Sequence, residues 1–143
     1  MKPALLDDHL LRDLLADDPS ADLRKVLRTR APATTNLYLH RLCRSTVSAR
    51  GGTLTGSWAP EQRRTLGARL VTVSEEIEIV PLRLLAYRMA EIADRHRVST
   101  LGAEAVAAAE YLDAPLCVWE GDDGPGIRSA VSAVGSRYRT VHR

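Results

Sequence analysis

This chain is poor in aromatic residues and in cysteine. Its 143 residues include no phenylalanine, two tryptophans, four tyrosines and two cysteines. Two cysteines do not make the disulfide framework of a small secreted domain, so we expect Cys43 and Cys117 to be reduced and buried. No apolar run approaches the ~18 residues of a membrane span, and the acids near the start leave no room for a secretion signal. These absences predict a cytoplasmic protein without a membrane partner.

A strong charge of either sign is also missing. Twenty basic and eighteen acidic residues leave a formal net charge of +2, which gives no overall argument for binding nucleic acid. A length of 143 residues with 45% apolar residues is typical of one globular domain with a sizeable core. We therefore expect a single domain over residues 1–143.

The motifs of the common nucleotide-dependent and metal-dependent enzymes do not occur. There is no Gly-rich phosphate loop, no dinucleotide fingerprint, no His-Glu-x-x-His pair and no Gly-x-Ser-x-Gly elbow. His40 and Cys43 share one side of a predicted helix but have no second pair of ligands. His9, His96 and His142 are interpreted as surface or helix-end residues. Carboxylates therefore remain the candidates for chemistry.

Short apolar runs alternate with amphipathic helices along the chain. Strands are predicted at residues 4–7, 70–73, 116–119 and 138–141, with helices between them. This order predicts an α/β fold of three layers, in which helices cover both faces of a central parallel sheet of about four short strands. The core is expected to contain Leu5, Leu6, Val71, Leu85, Met89, Val106, Leu116 and Val118.

Residues 51–60 form the longest stretch without periodicity, rich in Gly, Thr and Ser and containing Trp58. This composition predicts a mobile loop or an arm that faces a partner. Because tryptophan is favoured at interfaces, the arm can present Trp58 to another protein. Trp58 can equally pack back on its own core, and the sequence leaves both alternatives open.

Acidic residues follow two of the predicted strands. Asp7 and Asp8 come after the first apolar run, and Glu120 and Asp122 come after the third. In an open parallel sheet, the carboxyl ends of the strands form the edge where sites are usually found. Carboxylates gathered there can hold a divalent cation for phosphodiester hydrolysis. They can instead simply cap the helices that follow, and both interpretations stay open.

Three segments, in this order, carry a resemblance to a known family. They are Ala4-Leu5-Leu6-Asp7, Thr34-Thr35-Asn36-Leu37-Tyr38 at the start of a helix, and the Ala-rich run 102–120 with its Ala-Pro turn and strand. Together they resemble the PIN domain, a small α/β fold found in many RNA-cleaving toxins and related nucleases. The resemblance spans almost the whole chain and implies four acids at one edge of the sheet.

Only part of that acidic set is present. Asp7 matches the first acid, and Glu120 matches the fourth, with Asp122 as an alternative. The second position falls near Asn36, where no acid occurs, and the third falls on Gly102. Glu104 is close to the third position. It lies two residues further along the helix, however, so its side chain is expected to face away from the side on which residue 102 lies. The resemblance implies Asp7 and Glu120 as catalytic residues, Asp7, Glu120 and Asp122 as metal ligands, and Asn36 as a substrate contact.

Three functions remain after this comparison. The first is a PIN-like binding or regulatory module with an eroded acidic site and little or no nuclease activity. The second is a ribonuclease dependent on Mg²⁺ or Mn²⁺, the toxin component of a toxin–antitoxin pair. The third is a different small α/β protein whose sheet is similar for physical reasons alone. The resemblance also implies a homodimer, an antitoxin-like protein or RNA as possible partners, with no certain cofactor.

Overall fold

A parallel sheet of five strands forms the centre of the protein. A computed structural model describes residues 1–48 and 52–143. The sheet order is β3-β2-β1-β4-β5, and every neighbouring pair is parallel. The strands are β1 (Lys2–Leu6), β2 (Arg30–Thr34), β3 (Glu78–Ile79), β4 (Leu116–Trp119) and β5 (Tyr138–Val141).

Helices cover both faces of this sheet, which confirms the predicted α/β class and its layered arrangement. α6, α7 and α8 pack on one face, and α1 and α2 pack on the other. α3, α4 and α5 form a separate apolar cluster against α1. None of the described helices has the length and the apolar content to cross a membrane. The helices are α1 (Asp8–Leu15), α2 (Ala21–Leu27), α3 (Asn36–Val47), α4 (Gly52–Thr55), α5 (Pro60–Val71), α6 (Leu82–His96), α7 (Thr100–Leu112) and α8 (Pro125–Ala133).

The central strand β1 is buried on both of its faces. Leu5 points toward α6, α7 and α8, whereas Ala4 and Leu6 point toward α1 and α2. Alternation of side chains along a strand, with helices on both sides, explains why this short run is apolar throughout. Apart from Val71, all the residues predicted for the core are buried: Leu5, Leu6, Leu85, Met89, Val106, Leu116 and Val118.

The predicted strand at residues 70–73 is wrong. Those residues form the end of α5 and the start of a 3-10 turn at Val73–Glu75. Leu66 and Leu70, one helical turn apart, are buried against α1 and α3, whereas Val71 is 83% exposed. Helical spacing rather than strand alternation decides which side chain is buried here, so Val71 does not belong to the core.

Two strands, β2 and β3, lie where the sequence predicts none. Pro32 reads as a helix breaker, yet it lies in β2 beside Ala4 of β1. β3 pairs with β2 only from Ala33 onward, so Pro32 has a strand neighbour on one side only. A strand tolerates proline at such a position because no ladder hydrogen bond is required there. β3 itself has two residues, which is too short to leave a periodic pattern.

The segment predicted as a loop or arm is partly helical. Residues 52–55 form α4, in which Leu54 is buried, and Trp58 is half-buried against the cluster formed by α1, α3 and α5. Of the two alternatives for Trp58, the structure therefore has the one in which it packs on its own core. Residue 51, which was included in the predicted arm, lies outside the described residues. Cys117 is free and buried as predicted, but Cys43 is free and only half-buried.

Candidate functional site: an acidic cleft at the carboxyl end of the sheet

A cleft of about 390 Å³ opens beside the carboxyl ends of β1 and β4. β1 continues into α1 on one face of the sheet, and β4 leads to α8 on the other face. Such a change of direction between neighbouring parallel strands leaves a crevice at their carboxyl ends. The charged residues of this crevice, which we call the acidic cleft, are Asp7, Asp8, Asp122, Arg41 and Arg97.

Asp7 ties β1, α1 and β4 together. Its Oδ1 accepts a hydrogen bond from the Leu10 amide and its Oδ2 accepts one from the Trp119 amide, both at 2.9 Å. The first bond caps the N-terminus of α1. Burial raises the pKa of Asp7 to about 7, although the two amide hydrogen bonds oppose this shift. Asp7 therefore supports the fold whether or not it also takes part in chemistry.

Asp8 is equally buried but much less well satisfied. Its Oδ1 accepts a hydrogen bond from the amide of His9, the next residue. Its Oδ2 has no hydrogen-bond partner among the described residues, and its nearest cation is Nη1 of Arg41 at 3.3 Å. The side chain of Arg41 is half exposed, so the ion pair lies at the boundary between the interior and the cleft. A buried carboxylate oxygen without a hydrogen bond is costly for the fold.

Of the two alternatives for His9, surface or helix end, the structure has the second: His9 lies in the first turn of α1 and is buried in this cluster. Its Nδ1 lies 2.6 Å from Oδ2 of Asp122 and 3.3 Å from Oδ1 of Asp8. Its ring packs against that of Trp119, with 4.5 Å between the centroids. Burial lowers the pKa of His9, but the hydrogen bond with Asp8 and the charges of Asp122, Asp8 and Asp7 outweigh it, and the net shift is upward.

These four side chains form a compact set of donor atoms. One ligand atom from each of Asp7, Asp8, His9 and Asp122 lies within 4.8 Å of the others. Neither Asp8 Oδ2 nor His9 Nδ1 makes a hydrogen bond of good geometry with the described residues. Because Oδ2 faces Arg41 and Nδ1 faces Asp122, a cation would have to displace these contacts. Carboxylate oxygens with one imidazole suit Mn²⁺ or Mg²⁺. Arg41 opposes such binding because its guanidinium carries charge of the same sign as the cation.

Glu120 lies outside the four-residue set, although it directly follows β4. Its side chain is half exposed and pairs with the imidazole of His142. After β4 the chain enters a 3-10 turn at Glu120–Asp122, which brings Asp122 rather than Glu120 to His9. A Cβ at Gly121 would collide with the ring of Trp119, so this turn folds over the tryptophan only with glycine at that position.

Asn36 and Glu104 hold the beginning of α3 instead of lining the acidic cleft. The fully buried carboxylate of Glu104 accepts three hydrogen bonds: from the Asn36 amide at 3.0 Å, from Asn36 Nδ2 at 2.8 Å and from the Leu37 amide at 2.8 Å. Asn36 Nδ2 also donates to the carbonyl of Val80. Glu104 thus satisfies amides at a helix N-terminus, where a negative charge is favourable.

The far wall of the acidic cleft comes from the connection between α6 and α7. Arg97 ends α6 in the left-handed backbone conformation, with φ of 53°. Ser99 then caps α7 through a hydrogen bond from the Gly102 amide to Ser99 Oγ. Gly102 therefore lines the cleft without contributing a side chain, whereas Asp7 and Asp122 contribute theirs from the opposite side.

Sequence reasoning missed two residues that contact the acids of this cleft, His9 and Arg41. His9 and Arg41 stand on helices with no motif around them, and only the fold brings them to Asp122 and Asp8. No protein-family model matches this chain, and no curated protein matches it either. Inferences about function therefore depend on the chemistry of the cleft itself.

Proposed function

We propose that this protein is a PIN-like domain with an eroded acidic site, which acts as a binding or regulatory module with little or no nuclease activity. The observation that supports this proposal is the contact of Arg41 with Asp8, 3.3 Å from Nη1 to Oδ2. Arg41 offsets the negative charge of the Asp8 carboxylate. In a metal-binding site, a divalent cation would offset that charge instead. A divalent cation that binds there must therefore compete with the guanidinium of Arg41, which is already held beside Asp8.

The remaining acids support the same proposal. Both oxygens of Asp7 accept backbone hydrogen bonds, and the carboxylate of Glu104 is used at the start of α3. Glu120 pairs with His142. A two-metal mechanism needs carboxylates enough to hold two cations about 4 Å apart. Asp7, Asp8 and Asp122 suit at most one cation, held weakly.

Titration with Mn²⁺, followed by calorimetry, tests the proposed role of Arg41. Arg41→Gln removes the internal cation, and we expect it to increase Mn²⁺ affinity about tenfold, which corresponds to about 1.4 kcal/mol. Arg44→Gln is the matched control because Arg44 lies on the same helix, is exposed and makes no recorded contact with Asp8. Equal affinities of Arg41→Gln and the unmodified protein, or an equal gain in Arg44→Gln, would contradict the proposal.

A second candidate function, a ribonuclease dependent on Mg²⁺ or Mn²⁺, is favoured by one observation. One donor atom from each of Asp7, Asp8, His9 and Asp122 lies within 4.8 Å of the others, and two of these residues, Asp8 and His9, have a side-chain atom without a good hydrogen bond. These residues would hold a single cation, which would supply Lewis-acid activation of a phosphate. On this function the chain would be the toxin component of a toxin–antitoxin pair.

Cleavage of single-stranded RNA by the purified protein separates the two candidates. The first proposal expects little or no cleavage with Mg²⁺ or Mn²⁺. Cleavage that is abolished in Asp122→Asn, with the fold retained, would establish the nuclease instead. Asp122 is the better residue to change because it is exposed, whereas substitution of Asp7 also removes two backbone hydrogen bonds.

A homodimer and an antitoxin-like protein stay proposals for the partner. Leu84 and Tyr87 offer some support, since they are 53% and 82% exposed and lie three residues apart on α6. Residues at this spacing share one side of a helix, so they form a small apolar surface for a second chain. Light scattering at concentrations on the order of tens of micromolar tests self-association. A monomer under those conditions would remove the homodimer.

A further inference from the structure

A second cleft, of about 340 Å³, lies at the opposite end of the sheet from the acidic cleft. Its cations are Lys25 of α2, Arg28 after α2, Arg30 at the start of β2, and Arg139 of β5. Its floor includes Val26, Pro115 and Cys117, and none of the described residues that line it is acidic. We call this feature the basic cleft.

Most of the positive charge in the basic cleft is not neutralised. Arg139 donates to Oδ1 of Asp22 at 3.0 Å, and Arg30 donates to the carbonyl of Pro3 at 3.1 Å. Lys25 and Arg28 are exposed, and neither forms an ion pair within the described part of the chain. Four cations face one acid, so a charge near +3 is concentrated around a small concave surface. The protein as a whole carries only +2.

The end of α2 accounts for only part of this cluster. Cations near the C-terminus of a helix are favoured by its dipole, which gives Lys25 and Arg28 a purely structural reason to be there. That reason does not apply to Arg30 and Arg139, which come from strands on the two sides of β1. The fold thus brings cations from two separate segments of the chain, residues 25–30 and β5, to one cleft.

We propose that the basic cleft binds the phosphates of a single-stranded nucleic acid. The guanidinium of arginine matches the geometry of phosphate oxygens, and here the hydrogen bonds of Arg30 and Arg139 to Pro3 and Asp22 hold two guanidinium groups in place. A strand backbone can follow a concave line of cations, and the affinity arises from release of its counterions. This surface is separate from the acidic cleft. The proposal for RNA binding can therefore fail while the proposed function stands, and the proposed function can fail while RNA binding stands.

Fluorescence anisotropy with a labelled 12-nucleotide single-stranded RNA tests the proposal. With four phosphate contacts, the logarithm of the association constant should fall with the logarithm of salt concentration with a slope of about −2.8. Replacing Lys25 and Arg28 together by Gln should reduce the slope to about −1.4 and weaken binding at low salt at least about tenfold. Neither side chain forms a hydrogen bond or an ion pair with the part of the chain that the structure describes, so the fold should be retained, which circular dichroism can check.

Arg64→Gln combined with Arg83→Gln is the matched control, because it removes the same charge from exposed positions on α5 and α6. Retained affinity in this control, with loss in the Lys25 and Arg28 variant, supports the proposal. Equal losses in both variants would overturn it, since binding would then follow net charge alone. Absence of RNA binding would overturn it too. Tighter binding of poly-glutamate than of RNA, dependent on Lys25 and Arg28, would instead assign the cleft to an acidic protein.

Discussion

At the carboxyl end of the sheet two carboxylates are buried, whereas at the amino end two cations are exposed. Asp7 and Asp8 are at most 2% accessible, and their nearest partners are backbone amides, His9 and Arg41. In the basic cleft, Lys25 and Arg28 extend into solvent. Both ends belong to one parallel sheet, so the contrast comes from the connections rather than from the strands.

The contrast shows how differently the two charged regions depend on the rest of the fold. A buried carboxylate must be satisfied by fixed partners, and an unsatisfied one costs stability that only a function would justify. Exposed cations cost the fold little, because water solvates them. Substitutions of well-satisfied acids in and around the acidic cleft should therefore lower stability, whereas those in the basic cleft should change binding alone.

The largest effect is expected for Glu104→Ala. This substitution leaves two backbone amides and Asn36 Nδ2 without their acceptor, so we expect a loss of about 3 kcal/mol in the free energy of unfolding. Because α3 also carries Arg41, binding of Mn²⁺ in the acidic cleft should change, whereas RNA binding in the basic cleft should not. Glu110→Ala on the same helix is the control, and urea denaturation compares the two. Similar losses in both variants would mean that Glu104 is not a structural acceptor.

Asp7 and Asp8 should respond in different ways to the same substitution. Asp7→Ala removes the acceptor of two backbone hydrogen bonds, and we expect it to cost about 2 kcal/mol. Asp8→Ala removes a buried carboxylate with one unpaired oxygen, and we expect stability to stay within about 0.5 kcal/mol. Thermal unfolding without added metal measures both. A larger loss for Asp8→Ala than for Asp7→Ala would reverse the roles given to these residues.

The proposal for the basic cleft can be tested further by removing the carboxylate of Asp22, which pairs with Arg139. Asp22→Asn leaves Arg139 without its carboxylate partner, and we expect RNA to bind about twofold tighter, as for an exposed ion pair of a few tenths of a kcal/mol. Anisotropy titration at low salt measures the change. The gain should disappear at high salt, where exposed charges are screened. Weaker binding in Asp22→Asn would show that Asp22 orients Arg139 rather than competes for it.

The smallest effect is expected for the half-exposed ion pair between Arg88 of α6 and Glu110 of α7. The hydrogen bond from Arg88 lowers the pKa of Glu110, against a smaller opposing contribution from burial. A lowered pKa in the folded state stabilises the fold above the ordinary pKa near 4.5, and this contribution is lost as the pH falls through the lowered value. Relative to Glu110→Gln, the unmodified protein should be more stable by a few tenths of a kcal/mol at neutral pH. Denaturation at neutral and acidic pH tests this, because a difference that persists in acid would contradict the assignment.

Much of the fold could be predicted because its strongest signals are local. Ser20 and Thr35 cap α2 and α3, each accepting a hydrogen bond from an amide only three residues later, so these helix starts depend on nearby sequence alone. β1 and β4 are short apolar runs, which is the pattern of strands covered by helices on both faces. The failures at β2, β3 and Val71 have the opposite cause. Pairing with a neighbouring strand or packing against another helix decides those positions, and neither leaves a mark in the nearby sequence.

Some features of the candidate site likewise follow from nearby sequence, whereas others depend on the tertiary structure. The sequence by itself determined an α/β fold with a parallel sheet and placed Asp7 at the carboxyl end of a strand, because apolar periodicity and helix caps are short-range properties. The tertiary structure decided that Asp7 would hold the Trp119 amide across 112 residues, that Asp122 rather than Glu120 would reach His9, and that Arg41 would face Asp8. The physical reason is that a side chain's partner depends on where each connection leaves the sheet, and that path is fixed only when the whole core packs together.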